Sequence, residues 1–196
     1  METGVPRRPA RAERARQILD AAVAVFTERG YHGASMDAVA ERVGVTKPVL
    51  YTHFGSKDGL LMACIARARA ELLELTAAAA ARADGPEDAL RRSIRAFFDH
   101  LDATGPVWML VYAQVGGAGE ALEAVRAQQT DLVTRLLAAH APGLAPRRLE
   151  AWAQMIVGAC ERLAVWRAGT AGEPISSGEA TDLVMDLLGS GLAGGR

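Results

Sequence analysis

Glycine, proline and serine residues divide this chain into nine segments in which apolar residues recur at helical spacing. The breaks, in chain order, are Gly30, Gly44, Gly55, Gly85-Pro86, Gly105-Pro106, Gly116-Gly117, Pro142–Pro146 and Gly169–Gly178. Alanine, the strongest helix former, occupies 39 of the 196 positions, whereas aromatic residues make up only 5%. No segment shows the apolar–polar alternation of a half-buried strand. The sequence therefore predicts an all-α fold.

Nine helices are predicted, and their ends carry recognisable capping residues. They cover residues 11–29, 36–43, 47–54, 57–83, 86–103, 106–115, 120–140, 147–167 and 179–188. Ser35, Thr46 and Ser56 precede three of them as N-caps, where a side-chain oxygen accepts a hydrogen bond from a first-turn N–H group. Gly30 and Gly44 follow two of them as C-caps.

Positive charge is concentrated near the N-terminus, although the whole chain carries a net charge of −1. Residues 1–57 hold nine basic and six acidic groups, a net +3, and the remainder holds thirteen basic and seventeen acidic groups, a net −4. A basic end on an acidic body is one way to bind a polyanion, although random scatter would also give such a difference. Residues 1–10 are predicted to form a flexible basic arm.

Several classes of protein are disfavoured by the sequence. Cys64 and Cys160 lie far apart without a metal-binding motif, which is typical of buried thiols in a reduced cytoplasmic protein. No apolar run is long enough for a signal peptide or a membrane span. The histidines lack metalloprotease spacing, and neither a phosphate-binding glycine loop nor a nucleophile elbow is present. We expect no enzymatic activity, no metal, no cofactor and no membrane partner.

The segment SMDAVAERVGVTKPVLYTHFGSKDGLL, from Ser35 to Leu61, has the pattern of a helix-turn-helix. Its packing positions are filled by apolar residues, namely Val39, Ala40, Val43, Val45 and Leu50. Gly44 permits the positive φ angle of a tight turn between the two short helices. The second helix has the diameter to enter a DNA major groove.

The composition of that second helix suits contact with DNA. Recognition helices enter the groove by their N-terminal end, so Thr46–Val49 are predicted to face base edges. Tyr51 and His53 are candidates for hydrogen bonds to phosphate, and Ser35 and Lys57 lie at helix N-termini, which favour anions. The alternative is a purely structural helix corner, but the chain places both of its lysines here.

The same segment resembles the DNA-binding signature of the TetR/AcrR family of transcriptional regulators, most specifically in TKPVLYTHF and the following SK-x-x-LL. The resemblance implies a homodimer, a pseudo-palindromic operator and a ligand that releases the protein from DNA. The candidate DNA contacts are Ser35, Thr46, Lys47, Pro48, Val49, Tyr51, Thr52, His53 and Lys57. Where family members often have a small residue after the lysine, this chain has apolar Pro48 followed by Val49, which favours contact with thymine methyl groups. The implied domains are a DNA-binding domain over 11–56 and an effector and dimerisation domain over 57–196.

The last two predicted helices, the eighth and ninth, carry apolar seams. The candidate interface residues are Leu149, Trp152, Ile156, Ala159, Leu163, Trp166, Leu183, Val184, Leu187 and Leu188. Periodicity alone fits a one-sided core helix equally well. The resemblance favours a four-helix dimer interface, in which two-fold pairing would present two recognition helices about 34–36 Å apart.

A pocket for a small apolar or amphipathic effector is predicted in the same C-terminal part. Its candidate residues combine apolar side chains with a few polar ones: Phe97, His100, Trp108, Met109, Tyr112, Gln129, Trp152 and Met155. Ordinary core packing is the alternative for each of them. At the level of function, two alternatives stay open: a constitutive or architectural DNA-binding regulator without an inducer, and a helical binding or enzymatic module with an incidental helix-turn-helix.

Overall fold

The computed structural model describes residues 11–104, 118–169 and 175–193, and within these ranges every regular secondary-structure element is an α-helix. The helices are α1 (Arg11–Gly33), α2 (Met36–Val43), α3 (Lys47–Phe54), α4 (Lys57–Ala80), α5 (Pro86–Thr104), α6 (Ala118–His140), α7 (Pro146–Gly169) and α8 (Ser177–Ala193). The helix predicted over 106–115 lies outside the described residues. The last two helices, α7 and α8, correspond to the eighth and ninth predicted ones.

Helix ends follow the capping residues closely, with two informative exceptions. α1 continues for three residues beyond Gly30, but Gly30 itself has a non-helical backbone with φ of 66°, so the predicted break is present. α8 begins at Ser177, earlier than predicted, because Ser176 and Glu179 form a reciprocal capping box. The Glu179 N–H donates to Oγ of Ser176 (3.1 Å), and the Ser176 N–H donates to the Glu179 carboxylate (2.7 Å).

Two clusters of buried apolar side chains hold the fold together. The first joins α1, α2, α3 and the first half of α4, with Ile18, Leu50 and Leu60 fully buried. The second joins the rest of α4 with α5, α6, α7 and α8, around Leu72 and Phe98. Since the first cluster continues to position 65, it extends beyond the domain boundary predicted at residue 56. α4 therefore links the two cores as one continuous helix.

The two cysteines are buried, one in each core. Cys64 belongs to the first cluster and Cys160 to the second, and both are free thiols. Burial raises the pKa of each thiol to about 12, so both stay neutral and unreactive at physiological pH. Among the described helices, none is both long and apolar enough to cross a membrane.

Candidate DNA-binding surface and effector cavity

The turn between α2 and α3 has the geometry that the sequence predicts. Ser35 caps α2, with its hydroxyl oxygen accepting a hydrogen bond from the Ala38 N–H at 3.1 Å. Gly44 ends the helix in the left-handed region, at φ 71° and ψ 38°, a conformation that costs other residues energy. The Val45 N–H then donates back to the Ala40 carbonyl at 3.0 Å. These contacts fix the direction in which α3 leaves the turn.

α3 is anchored on one side and open on the other. Leu50 is fully buried beneath the helix. The open side carries Thr46, Lys47, Pro48, Tyr51 and Thr52, all exposed, while Val49 and His53 are half-buried at its edges. The predicted recognition residues therefore share an accessible surface around the N-terminal half of α3, which we call the α3 face.

Thr46 occupies the N-cap position of α3, but its side chain makes no capping hydrogen bond, contrary to the prediction. The reason is local. A capping side chain bonds to the second or third N–H of the helix. The second position is Pro48, which has no N–H, and the Val49 N–H is taken by the Thr46 carbonyl at 3.0 Å. The Thr46 hydroxyl therefore remains available on the α3 face.

Lys47 forms an ion pair with Asp37, which lies in the first turn of α2. The ammonium nitrogen is 2.8 Å from a carboxylate oxygen, and both side chains are largely exposed. The hydrogen bond that the ammonium donates to Asp37 holds the pKa of Lys47 above its usual range, so the ammonium stays charged. Such exposed pairs contribute little to stability. Lys47 is thus positioned by Asp37 without being firmly held.

Thr52 uses its hydroxyl inside the helix. Its Oγ1 donates to the Pro48 carbonyl at 2.9 Å, which occupies the hydroxyl proton and leaves the oxygen lone pairs facing outward. Without rearrangement, Thr52 therefore presents an acceptor or its methyl group to a partner.

Lys57 has an internal role that sequence reasoning missed. Its ammonium donates to the main-chain carbonyls of Tyr31 (2.9 Å) and Ala34 (3.1 Å). The Lys57 residue as a whole is half-buried. The Tyr31 hydroxyl in turn donates to the carboxylate of Asp58, the next residue of α4. Two of the three ammonium protons are therefore used within the protein. One proton remains for the phosphate contact predicted from the resemblance.

A small cavity lies between α4, α5, α6 and α7, with a free volume of about 30 Å³. That is room for about two water molecules. Its lining is formed by Leu72, Thr76, Ser93, Ile94, Phe97, Gln129, Val133, Ile156, Val157, Cys160 and Glu161. Phe97 and Gln129 are the two predicted pocket residues that the structure brings together here.

The other predicted pocket residues are placed elsewhere or not described. His100 is buried but does not line the cavity, and Trp152 packs half-buried against the second core. Met155 is 60% exposed, because the buried face of α7 follows positions 153, 156, 157, 160 and 161, and residue 155 falls outside that stripe. Trp108, Met109 and Tyr112 lie outside the described residues.

Glu161 was missed by sequence reasoning, although its register on the buried stripe of α7 could have revealed it. It is 8% exposed and lines the cavity. Nε of Arg126, on α6, donates to its Oε2 at 2.9 Å. A buried carboxylate needs such a partner because burial disfavours an unpaired charge.

Four of the predicted interface residues are core residues of the single chain. Leu149, Ile156, Val184 and Leu188 are buried against the second core, so they offer almost no surface to a partner. Both sides of α7 and α8 are partly apolar, so the predicted seam combines buried core residues with exposed ones. Trp152, Ala159 and Leu163 are half-buried.

A different set of apolar side chains is exposed on the last two helices. Met155 and Trp166 on α7 are 60% and 50% exposed, and Leu183 and Leu187 on α8 are 53% and 67% exposed. We call these four residues the α7–α8 face. Three of them, all except Met155, were predicted interface residues.

Comparison with known proteins agrees with this geometry. The family model "Bacterial regulatory proteins, tetR family" matches residues 18–64, and "Tetracyclin repressor-like, C-terminal domain" matches residues 86–190. The HTH-type transcriptional activator FasR of Mycolicibacterium smegmatis is 40% identical over 102 residues, so the match spans 52% of this chain and 47% of FasR.

Solved structures extend the likeness over nearly the whole chain. A TetR-like regulator from Rhodococcus sp. RHA1 is 36% identical with a TM-score of 0.76, and the match covers 96% of this chain and 100% of that one. FadR from Bacillus subtilis, solved in complex with stearoyl-CoA, shares the fold at 21% identity and a TM-score of 0.74, covering 90% of this chain and 98% of FadR. The chain belongs to the TetR family of DNA-binding transcriptional regulators, a class of proteins that are not enzymes.

Proposed function

We propose that this regulator binds a pseudo-palindromic operator as a homodimer and that a small apolar or amphipathic effector releases it. The observation that carries the proposal is the α3 face, on which Lys47 and the Thr46 hydroxyl are exposed above a fully buried Leu50. A rigidly anchored helix with a basic, accessible N-terminal turn suits insertion into the major groove.

The contacts divide into base readers and phosphate binders. Lys47 and Thr46 present donors to base edges, and Pro48 and Val49 present apolar surface to thymine methyl groups. Tyr51 and His53 flank them toward the phosphate backbone. Ser35 keeps its hydroxyl proton for a phosphate at the start of α2, because the capping bond uses only its oxygen.

The α7–α8 face supports dimerisation. Four large apolar side chains exposed on two adjacent helices are unusual for a solitary protein and are typical of an interaction surface. A two-fold axis through this face would pair it with its own copy and would place two α3 helices on the same side of the dimer. Recognition helices about 34–36 Å apart reach successive major grooves.

The cavity and α4 together support effector control. Two α4 residues, Leu72 and Thr76, line the cavity. The first residue of α4, Lys57, donates hydrogen bonds to the main-chain carbonyls at the joint between α1 and α2. An effector that enlarges the cavity would shift α4 and so favour a dimer whose recognition helices no longer match the half-sites. The stearoyl-CoA complex of FadR shows that this fold accommodates an amphipathic ligand in one relative.

Selection of bound fragments from genomic DNA tests operator binding. We expect the native protein to enrich fragments that share one inverted repeat with half-sites about one helical turn apart. Enrichment without any shared palindrome would contradict a dimeric, sequence-specific regulator.

One observation favours a second candidate, a regulator without an inducer. The free volume of about 30 Å³ is far smaller than the ~300–1,000 Å³ of a usual ligand pocket. A thermal-shift screen of apolar compounds separates the two. The inducible protein would yield a compound that both stabilises the fold and weakens operator binding, and the absence of any such compound would support the second candidate.

A further inference from the structure

Glu161 separates the cavity from an outer groove between α6 and α7. The groove is lined by Arg126, Gln154, Val157, Gly158, Glu161, Arg162 and Val165. Glu161 and Val157 line the cavity as well, so they form the wall between the two spaces. Arg126 donates to Oε2 of Glu161 from the groove side, and no described residue donates to Oε1. Oε1 of Glu161 is therefore a hydrogen-bond acceptor without a donor among the described residues.

Two further polar side chains of the cavity are almost fully buried. Gln129 is 9% exposed and Ser93 is 5% exposed, and both line the cavity. Thr76 differs from them, because its hydroxyl donates to the Leu72 and Leu73 carbonyls of its own helix. Since buried polar groups are usually hydrogen-bonded, a ligand that satisfies Gln129 and Ser93 would bind more tightly than a purely apolar one.

Glu161 brings a carboxylate to the lining of the cavity. Arg126 contacts this carboxylate and also contacts Glu123, on the exposed side of α6. The Arg126 side chain does not line the cavity, whereas Glu161 does. A carboxylate placed in the cavity would be repelled by Glu161 and would remain unpaired in apolar surroundings, which is costly.

We propose that the cavity selects apolar effectors with a hydrogen-bond-donating end group, an alcohol or an amine, and discriminates against carboxylates. The effector enlarges the cavity on entry. Its donor group then bonds to Oε1 of Glu161, Gln129 and Ser93 supply further hydrogen bonds, and its apolar body lies against Phe97, Ile94 and Ile156. This assignment rests on the proposed effector control of the regulator and specifies the chemistry of the effector.

The test uses three probes of equal chain length, 1-decanol below its solubility limit and decylamine and decanoate below their micelle concentrations. Binding to the full-length protein is measured by titration calorimetry. We expect the alcohol and the amine to bind about tenfold or more tightly than the carboxylate, because a single like charge in an apolar site disfavours binding to that extent. Glu161→Gln retains an acceptor for Arg126 but removes the negative charge. It should therefore reduce the difference in affinity between decanoate and the other two probes.

Glu123→Gln is the matched control. It removes the other carboxylate from Arg126, on the exposed side, and should leave the preference among the probes unchanged. Should Glu161→Gln fail to fold, Gln129→Met provides a second variant of similar volume, which should weaken decanol and decylamine binding while retaining the apolar walls.

Several results would overturn the assignment: decanoate bound as tightly as decanol, an equal effect of Glu123→Gln and Glu161→Gln, or no binding of any probe. Tight decanoate binding that releases DNA would contradict the selectivity while supporting effector control. Operator binding is measured separately, without any probe. A protein that does not bind DNA is therefore distinguishable from one that binds DNA but does not prefer the alcohol and the amine.

Discussion

The ammonium nitrogen of Lys57 lies 4.3 Å from the centroid of the Tyr31 ring and donates a hydrogen bond to the carbonyl of the same residue. A second bond reaches Ala34, and the Tyr31 hydroxyl donates to Asp58. The first turn of α4 is thereby fastened to the joint between α1 and α2. Lys57 therefore connects the start of α4 to the part of the protein that carries the α3 face.

Replacing Lys57 by methionine tests this fastening. We expect the free energy of unfolding to fall by about 1–3 kcal/mol, because two carbonyls lose a charged donor. Urea denaturation without DNA measures the loss. Lys47→Met is the matched control: it breaks only an exposed ion pair and should change stability by less than about 1 kcal/mol. Equal losses in the two variants would contradict the internal role of Lys57.

The same variant also tests the phosphate contact predicted for Lys57. If its remaining proton binds a phosphate, the slope of log K against log salt should decrease in magnitude by about 1 in Lys57→Met. Fluorescence anisotropy at several salt concentrations measures the slope. An unchanged slope would mean that Lys57 acts only within the protein.

A charge on the α7–α8 face should prevent dimerisation. Leu187→Asp places a carboxylate on the most exposed of its four apolar side chains, and we expect a monomer in analytical ultracentrifugation and a large loss of operator binding. Leu75→Asp is the control, because Leu75 is also an exposed leucine, 47% accessible, but lies on α4. A dimer that persists in Leu187→Asp would show that the interface lies elsewhere.

His100 should make stability depend on pH. Burial lowers its pKa below the usual value, and the nearby charge of Glu71 opposes this only in part. The unfolded chain therefore takes up this proton at a higher pH than the folded one. Neutral His100 therefore contributes to the free energy of unfolding. This contribution is fully present above the pKa of histidine in the unfolded chain, about 6.5, and it is lost as the pH falls toward the lower pKa of His100 in the folded protein.

Urea denaturation at a series of pH values checks this expectation. The decline in stability below about pH 6.5 should be shallower in His100→Gln than in the native protein. His140→Gln, which changes an exposed histidine, serves as the control and should follow the native curve. A steep decline that is unchanged in His100→Gln would contradict the assignment.

Local features of the fold were predictable because their causes are local. A positive φ at Gly44 and the Ser35 cap depend on a few neighbouring residues, and the structure shows both. The Thr46 cap was not predicted correctly, because it depends on which N–H groups Pro48 leaves available. Even here the cause lies within three residues, because Pro48 and Val49 directly follow Thr46 and Lys47.

The site residues were harder to predict because they depend on tertiary packing. The carbonyls bound by Lys57 come from residues 23 and 26 positions away, and no periodicity reveals them. The register of α7 places Ile156, predicted at the interface, in the core, and it places Met155, predicted in the effector pocket, on the surface. On a helix that is apolar on more than one side, periodicity alone does not distinguish a core from an interface.

Lys47→Ala tests whether the α3 face reads DNA bases. Affinity is measured by anisotropy for the selected operator and for a random duplex of equal length at one salt concentration. Asp37→Asn is the matched control, because it breaks the same ion pair but keeps the ammonium. We expect Lys47→Ala to cost about 1–3 kcal/mol on the operator and less on random DNA, with a relaxed base preference. Asp37→Asn should retain that preference. Equal losses on both duplexes for Lys47→Ala would contradict base reading by the α3 face.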